Sequence, residues 1–141
     1  MIKVIYDTDV YINWMQGKVP DTLMFREGEF IFISSIVIME LRVGAFTNRA
    51  ISAIERLFET AIKTSRLIIP TTQDYLKAGE ILNLLRIKKG YDIKGASHIT
   101  NDVLIAITTR RIGGILRTFN KADYEAISTF LDFKWEVMPS M

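Results

Sequence analysis

Short apolar runs alternate along this chain with longer segments in which apolar residues recur every three or four positions. "KVIY" (3–6), "FIFI" (30–33), "RLII" (66–69), "GILRTF" (114–119) and "KWEV" (134–137) have the length and the β-branched or aromatic content of strands. The first three are almost continuously apolar, as strands covered on both faces must be. Between the strands the period lengthens. In "RAISAIERLFETAIK" (49–63), Ile51, Ile54, Phe58, Ala61 and Ile62 fall on one helical face, with Glu55, Arg56, Glu59 and Lys63 opposite. In "TTQDYLKAGEILNLLRIKKG" (71–90), Thr71 and Asp74 fit a capping box, Tyr75, Ala78, Leu82 and Leu85 line a face, and Gly90 is a stop. "NDVLIAITTRRIGG" is apolar over its first turns, which predicts a centrally packed helix ending in basic residues and a Gly-Gly break. The predicted order is β-α-β-α-α-β-α-α-β-α-β. Such alternation implies an α/β fold, a parallel sheet with helices on both faces and right-handed crossovers. No internal repeat, low-complexity tract or linker interrupts it, and "YDIKGASHIT" (91–100) is the longest irregular stretch.

Composition narrows the chemistry. With 141 residues, 49% of them hydrophobic and 24% charged, the chain reads as an ordinary globular protein long enough to bury a core. A net charge of +2 is too mild to argue for nucleic acid by itself, and it does not oppose an anionic substrate. Cysteine is absent and His98 is the only histidine, which excludes thiol catalysis, zinc–thiolate sites and histidine metal clusters. The longest apolar stretch, "FIFISSIVIM", is far short of the roughly 20 residues that span a bilayer. The start of the sequence does not resemble a signal peptide. The expectation is a cytoplasmic protein without a membrane partner.

Ligands of open parallel sheets gather beyond the carboxyl ends of the strands. Asp7, Thr8 and Asp9 follow the first predicted strand, and Ser34 and Ser35 follow the second. Asp102 opens the helix before the fourth strand, after which come Thr118, Asn120 and Asp123. Glu40 interrupts "SSIVIMELRVGAF", where Ile36, Val37, Ile38, Met39 and Leu41 surround it. A carboxylate in such a setting is costly unless it is paired or meets a cation. Several acids at one sheet edge would raise one another's pKa values unless a divalent cation compensates, and an all-oxygen donor set suits Mg²⁺ or Mn²⁺. Each acid also has a plainer reading. Asp7, Asp102 and Asp123 stand at expected helix starts, where acids cap free N–H groups, and Ser35 and Thr8 fit caps equally well. Glu40 would then need an arginine such as Arg42 or Arg117. Arg110, Arg111 and Arg117 fit either a phosphate-binding surface or an ordinary basic helix end, and His98 an exposed loop.

Taken in order, "VIYDTDVYI", "SSIVIMELRVGA", "NDVLIAITTR" and "RTFNKADYEAI" resemble the motifs of PIN-domain ribonucleases of the VapC toxin type. The resemblance runs from Ile2 to about Val137. It implies one PIN-like nuclease domain over residues 1–141, three-layered (α/β/α) around a central parallel sheet of about five strands. Asp7, Glu40 and Asp102 match the family's first three acids, and Asp123 or Asn120 completes the set. The resemblance implies that these acids bind Mg²⁺ or Mn²⁺ and hydrolyse RNA by a metal-activated water, leaving a 5′-phosphate and a 3′-hydroxyl. Thr8, Ser35, Thr118 and Asn120 would orient carboxylates or water. Asp9 stands where relatives usually carry Asn or Ser. A homodimer and a cognate antitoxin protein are the partners implied.

Two other readings compete. "DTDVY" also resembles the nucleophile motif of haloacid-dehalogenase-type phosphatases, with Asp7 phosphorylated and Asp9 as acid, but the late acidic pair of those enzymes is missing. The other is a non-catalytic PIN-like RNA-binding module, against which the placement of Glu40 argues. In "INWMQGKVPDTLMF", Trp14, Met15, Met24 and Phe25 serve equally as exposed anchors for a partner or as core.

Overall fold

The structure, a computed structural model, describes residues 1–93 and 97–139. Five strands, β1 (Ile2–Tyr6), β2 (Glu29–Ser34), β3 (Leu67–Ile68), β4 (Ile115–Thr118) and β5 (Lys134–Val137), form one parallel sheet in the order β3-β2-β1-β4-β5. β1 is the middle strand, and Val4 sits in register with Ile31 on one side and Ile115 on the other. Val4, Ile5 and Tyr6 are fully buried, which accounts for the unbroken apolar run.

Seven helices connect the strands: α1 (Thr8–Met15), α2 (Asp21–Met24), α3 (Ser35–Val43), α4 (Asn48–Lys63), α5 (Thr72–Lys89), α6 (Ser97–Ile112) and α7 (Lys121–Ser128). α1 packs on α3 and α3 on α4, while α5, α6 and α7 pack on one another. Right-handed crossovers place these two groups on opposite faces of the sheet, giving three layers. None of these helices is long and apolar enough to cross a membrane.

The structure departs from the sequence expectations in several places. α2 is an additional helix, only four residues long and too short to show a period, that delivers Met24 to the core. Met24 is thus core, Met15 and Phe25 are exposed, and half-buried Trp14 meets Phe25 edge-on at 5.4 Å. On α4 the buried residues are Ile54 and Ala61, whereas Phe58 and Ile62 are exposed. α5 buries Asp74, Ala78, Ile81 and Leu85 and leaves Tyr75 exposed. The capping box of Thr71 and Asp74 forms, and the buried Asp74 carboxylate also accepts from Arg111 at 3.0 Å. That ion pair rotates the seam of α5 by one residue from the purely apolar face. Gly90 ends α5 in the left-handed region (φ 71°), where glycine carries no Cβ penalty. α6 starts at Ser97, so His98 is an exposed helical residue and not a loop residue.

Arg117 is a structural residue rather than part of a phosphate-binding surface. From β4 its guanidinium donates to both oxygens of Glu29 on β2 (2.7 and 2.6 Å), to the Tyr6 hydroxyl on β1 (3.2 Å) and to Glu136 on β5 (2.5 Å). One buried side chain therefore ties four neighbouring strands, and its charge is compensated chiefly by Glu29, whose carboxyl is held below its ordinary range. Arg111 is likewise engaged, by Asp74 and the Ile69 carbonyl, while Arg110 is exposed and makes no such tie among the described residues.

Candidate active site

The chain runs from β1 to β2 on one side, while β4 lies on the other side of β1. The crevice at the carboxyl ends of β1 and β4 is thus the switch point of the sheet, the place where side chains from both directions meet. Asp7 sits at its edge. Pairing with β4 continues one residue past β1, because the Asp7 N–H donates to the Arg117 carbonyl at 2.9 Å. Asp7 is also the N-cap of α1, one carboxylate oxygen accepting from the Thr8 N–H at 2.9 Å. Its other oxygen accepts from the Thr118 hydroxyl at 2.8 Å. The capping reading and the site reading therefore describe the same residue.

Thr118 ends β4 fully buried, and its hydroxyl accepts from the Asn120 N–H at 2.9 Å while donating to Asp7. Glu40, half-buried on α3, is not paired with Arg42 or Arg117: one oxygen accepts from the Thr8 hydroxyl at 2.7 Å and the other from the Asn101 amide at 3.4 Å. Asp102 lies inside α6, as its sixth residue, so it does not cap that helix as the sequence suggested. Its oxygens accept from the buried Tyr124 hydroxyl (3.2 Å) and the Asn120 amide (3.3 Å). Asp123 is in the first turn of α7, but the N-cap is Asn120, whose side-chain oxygen accepts from the Asp123 N–H at 3.3 Å. The Asn120 amide nitrogen donates to Asp123 at 3.0 Å and so links the Asp102 and Asp123 carboxylates. Tyr91 donates to the other oxygen of Asp123 at 2.9 Å.

Thr8, Thr118 and Asn120 each hydrogen-bond to one of the predicted acids, whereas Ser35 makes no such bond among the described residues. The cap of α3 is the fully buried Ser34, which accepts from the Ile36 N–H at 3.1 Å. Asp9 turns its carboxylate to the Phe119 N–H at 3.2 Å. Asn101, Tyr91 and Tyr124 were not among the residues singled out from sequence. Asn101 and Tyr124 adjoin chosen acids, but nothing in the periodicity marks Tyr91.

Burial decides the electrostatics. It pushes Asp102 up to about 8, with help from the charges of Asp7, Asp123 and Glu40. It pushes Asp7 up to about 7, with help from Asp9 and Glu40. Asp9 is raised as well, again by burial first. Burial and the adjoining Asp123 carry the Tyr91 hydroxyl up to about 12, so it is a donor at neutral pH. Among the described residues no three acidic side chains converge closely enough to hold one ion as they stand. Their chemistry nonetheless fits a hard divalent cation. The donors are all oxygen, they come from four elements, and their negative charge is held where water does little to screen it.

That electrostatic arrangement has a measurable consequence without metal. In the unfolded chain Asp7 and Asp102 ionise near pH 4. In the folded chain they keep their protons until about 7 and about 8. The folded state binds more protons across this window, so their stabilising contribution is complete below about pH 4 and is lost as pH rises through the folded values. Urea unfolding of chelator-treated protein from about pH 4 to about pH 9 is expected to show that fall, with a shallower slope in Asp102→Asn. A flat or rising profile in the native sequence would contradict it.

Two hollows lie apart from these acids. One, of about 580 Å³, is lined by Tyr11, Trp14, Phe25, Ile31, Leu57 and Arg66 among others. The second, of about 840 Å³, shares Trp14, Leu57 and Thr60 with it. The Tyr11 hydroxyl is buried without a hydrogen-bond partner among the described residues, an expensive arrangement for a polar group.

No family model and no curated protein matches this sequence. Solved structures do match in three dimensions. VapBC-1 from nontypeable Haemophilus influenzae contains a chain 24% identical, with a TM-score of 0.67 over 96% of this chain and 98% of that chain. VapBC2 from Rickettsia felis, solved with a DNA fragment from its promoter, gives 20%, 0.70, 98% and 100% in the same terms. VapBC-5 from Mycobacterium tuberculosis, a member of the VapBC family of toxin–antitoxin systems, gives 17%, 0.55, 98% and 98%. This chain therefore has the α/β/α fold of those structures, the PIN-like architecture that its four motifs led us to expect.

Proposed function

We propose that this protein is a metal-dependent endoribonuclease, the toxin of a type II toxin–antitoxin pair. The observation that carries the reading is that the charges of Asp7, Asp123 and Glu40 all act on the buried Asp102 carboxylate, beyond the carboxyl ends of β1 and β4. Asp7 and Asp102 are buried there, with no cationic side chain among their hydrogen-bond partners in the described residues. These four acids would hold Mg²⁺ or Mn²⁺. A bound divalent ion would activate a water for attack on an RNA phosphodiester and neutralise charge on the phosphate and the leaving oxygen. The chain's own groups keep the acids ready. Thr118 and the Thr8 N–H fix the plane of the Asp7 carboxylate, the Thr8 hydroxyl and Asn101 fix Glu40, and Asn120 spans Asp102 and Asp123. Asp9, engaged by the Phe119 N–H, is left out of the ligand set. That engagement also weakens the phosphatase reading, which needs Asp9 free as an acid.

The partners follow from the same reading. The cytoplasm supplies RNA as substrate, a second copy forms a homodimer, and an antitoxin protein neutralises the nuclease. Support for a docked partner comes from the hollow lined by Trp14 and by the exposed Phe25. The test is incubation of purified protein with total RNA in Mg²⁺, in Mn²⁺ and in chelator, followed by mapping of the new ends. Metal-dependent cuts bearing 5′-phosphates support the reading. RNA left intact under all conditions would overturn it.

A further inference from the structure

We propose that Tyr91 is a positioning residue for Asp123, its hydroxyl fixing one carboxylate oxygen so that the other stays on the Asn120 amide that also reaches Asp102. The inference rests on the reading of these acids as a divalent-cation site. It begins at Gly90. The left-handed turn there lets the N–H groups of both Gly90 and Tyr91 close on the Leu85 carbonyl, which sets where the chain leaves α5. Tyr91 is consequently half-buried with its ring packed against the core, and the phenol reaches across to α7 as a rigid arm. The hydroxyl on this arm donates to Asp123 at 2.9 Å.

On α7, Asp123 is held from its other side. Its N–H donates to the Asn120 side-chain oxygen, and its second carboxylate oxygen accepts from the Asn120 amide at 3.0 Å. With both oxygens engaged, the carboxylate cannot rotate without breaking a hydrogen bond. Tyr91 acts from the segment just past α5, so its hydrogen bond ties the orientation of Asp123 to the packing of that helix end. Groups that orient a ligating carboxylate in this way typically change metal affinity by about 10- to 100-fold when removed.

Calorimetric titration of the metal-free full-length chain with Mn²⁺ tests this, using the native sequence, Tyr91→Phe, Asp123→Asn and the double variant. Tyr91→Phe is expected to weaken Mn²⁺ binding by about 10-fold while the thermal midpoint without metal stays within a few degrees. In the Asp123→Asn background the same replacement should change affinity by less than about twofold, because the carboxylate through which Tyr91 acts has been removed. Unchanged affinity in Tyr91→Phe, or equal losses in both backgrounds, overturns the proposal and leaves the cation site standing. Failure of the native chain to bind Mn²⁺ removes the cation site itself, and the role of Tyr91 with it.

Discussion

Asp7→Asn and Asp102→Asn are each expected to lower metal-dependent RNA cleavage by on the order of 10²–10³-fold or more, the scale of removing a central electrostatic group from an active site. Asp9→Asn, two residues from Asp7, should retain activity within a few-fold. The contrast follows from what each carboxylate touches. Asp7 is buried between the Thr8 N–H and the Thr118 hydroxyl, and its charge is felt by Asp102. Asp9 accepts a backbone N–H from Phe119, a hydrogen bond that an asparagine oxygen also accepts. Its removal even relieves Asp7 of a neighbouring negative charge. Cleavage of a defined RNA by the three variants, with circular dichroism to show that each is folded, is the measurement. Equal losses in Asp7→Asn and Asp9→Asn would assign both acids the same role and sink the distinction.

Arg117→Ala is expected to destabilise the fold by about 3–5 kcal/mol, because it strands a partly buried carboxylate whose partner has gone. Glu29 is the group left exposed to that penalty, since Arg117 donates to both of its oxygens and its side chain is only 12% accessible. Adding Glu29→Gln to Arg117→Ala should recover part of the loss. Glu136→Gln alone should matter little, as that side chain is 50% accessible and water screens the pair. Arg117→Lys is not a mild change here, because an ammonium cannot reproduce the paired hydrogen bonds to Glu29. Urea denaturation of the four variants tests the ordering. Arg117→Ala as stable as the native chain would show that the sheet does not depend on this side chain.

Much of the architecture was legible in the chain because strands buried on both faces leave an unambiguous apolar run. All five fell within two residues of their observed ends. Helix faces were read less well, for a definite reason. On α5 the inward seam includes Asp74, so an ion pair with Arg111 set the rotation and a purely apolar template missed it. α2 was invisible because a single turn has no period. Among the acids, Glu40 stood out since an apolar helix offered it no other use, and its observed partners are a threonine and an asparagine. Asp102 was expected as a cap and lies within α6, because the start of that helix falls in the stretch read as irregular. Tyr91 and Tyr124 carry no signal in the sequence, because spacing along the chain says nothing about hydroxyls that arrive from another segment.

The sheet order also sets when this edge can exist. β1 precedes the other four strands along the chain, yet it is completed on one side by β4, and the Thr118–Asp7 hydrogen bond closes a separation of 111 residues. Contacts of that span form late and slow a folding reaction. A chain emerging from the ribosome at about 5–20 residues per second presents Asp7, Glu40 and Asp102 well before the hydroxyl of Thr118 and the amide of Asn120. Until β4 docks, the acids have neither their orienting partners nor the buried setting that concentrates their charge. A nascent chain carrying three of the four acids therefore lacks the assembled edge, which forms only when β4 has docked.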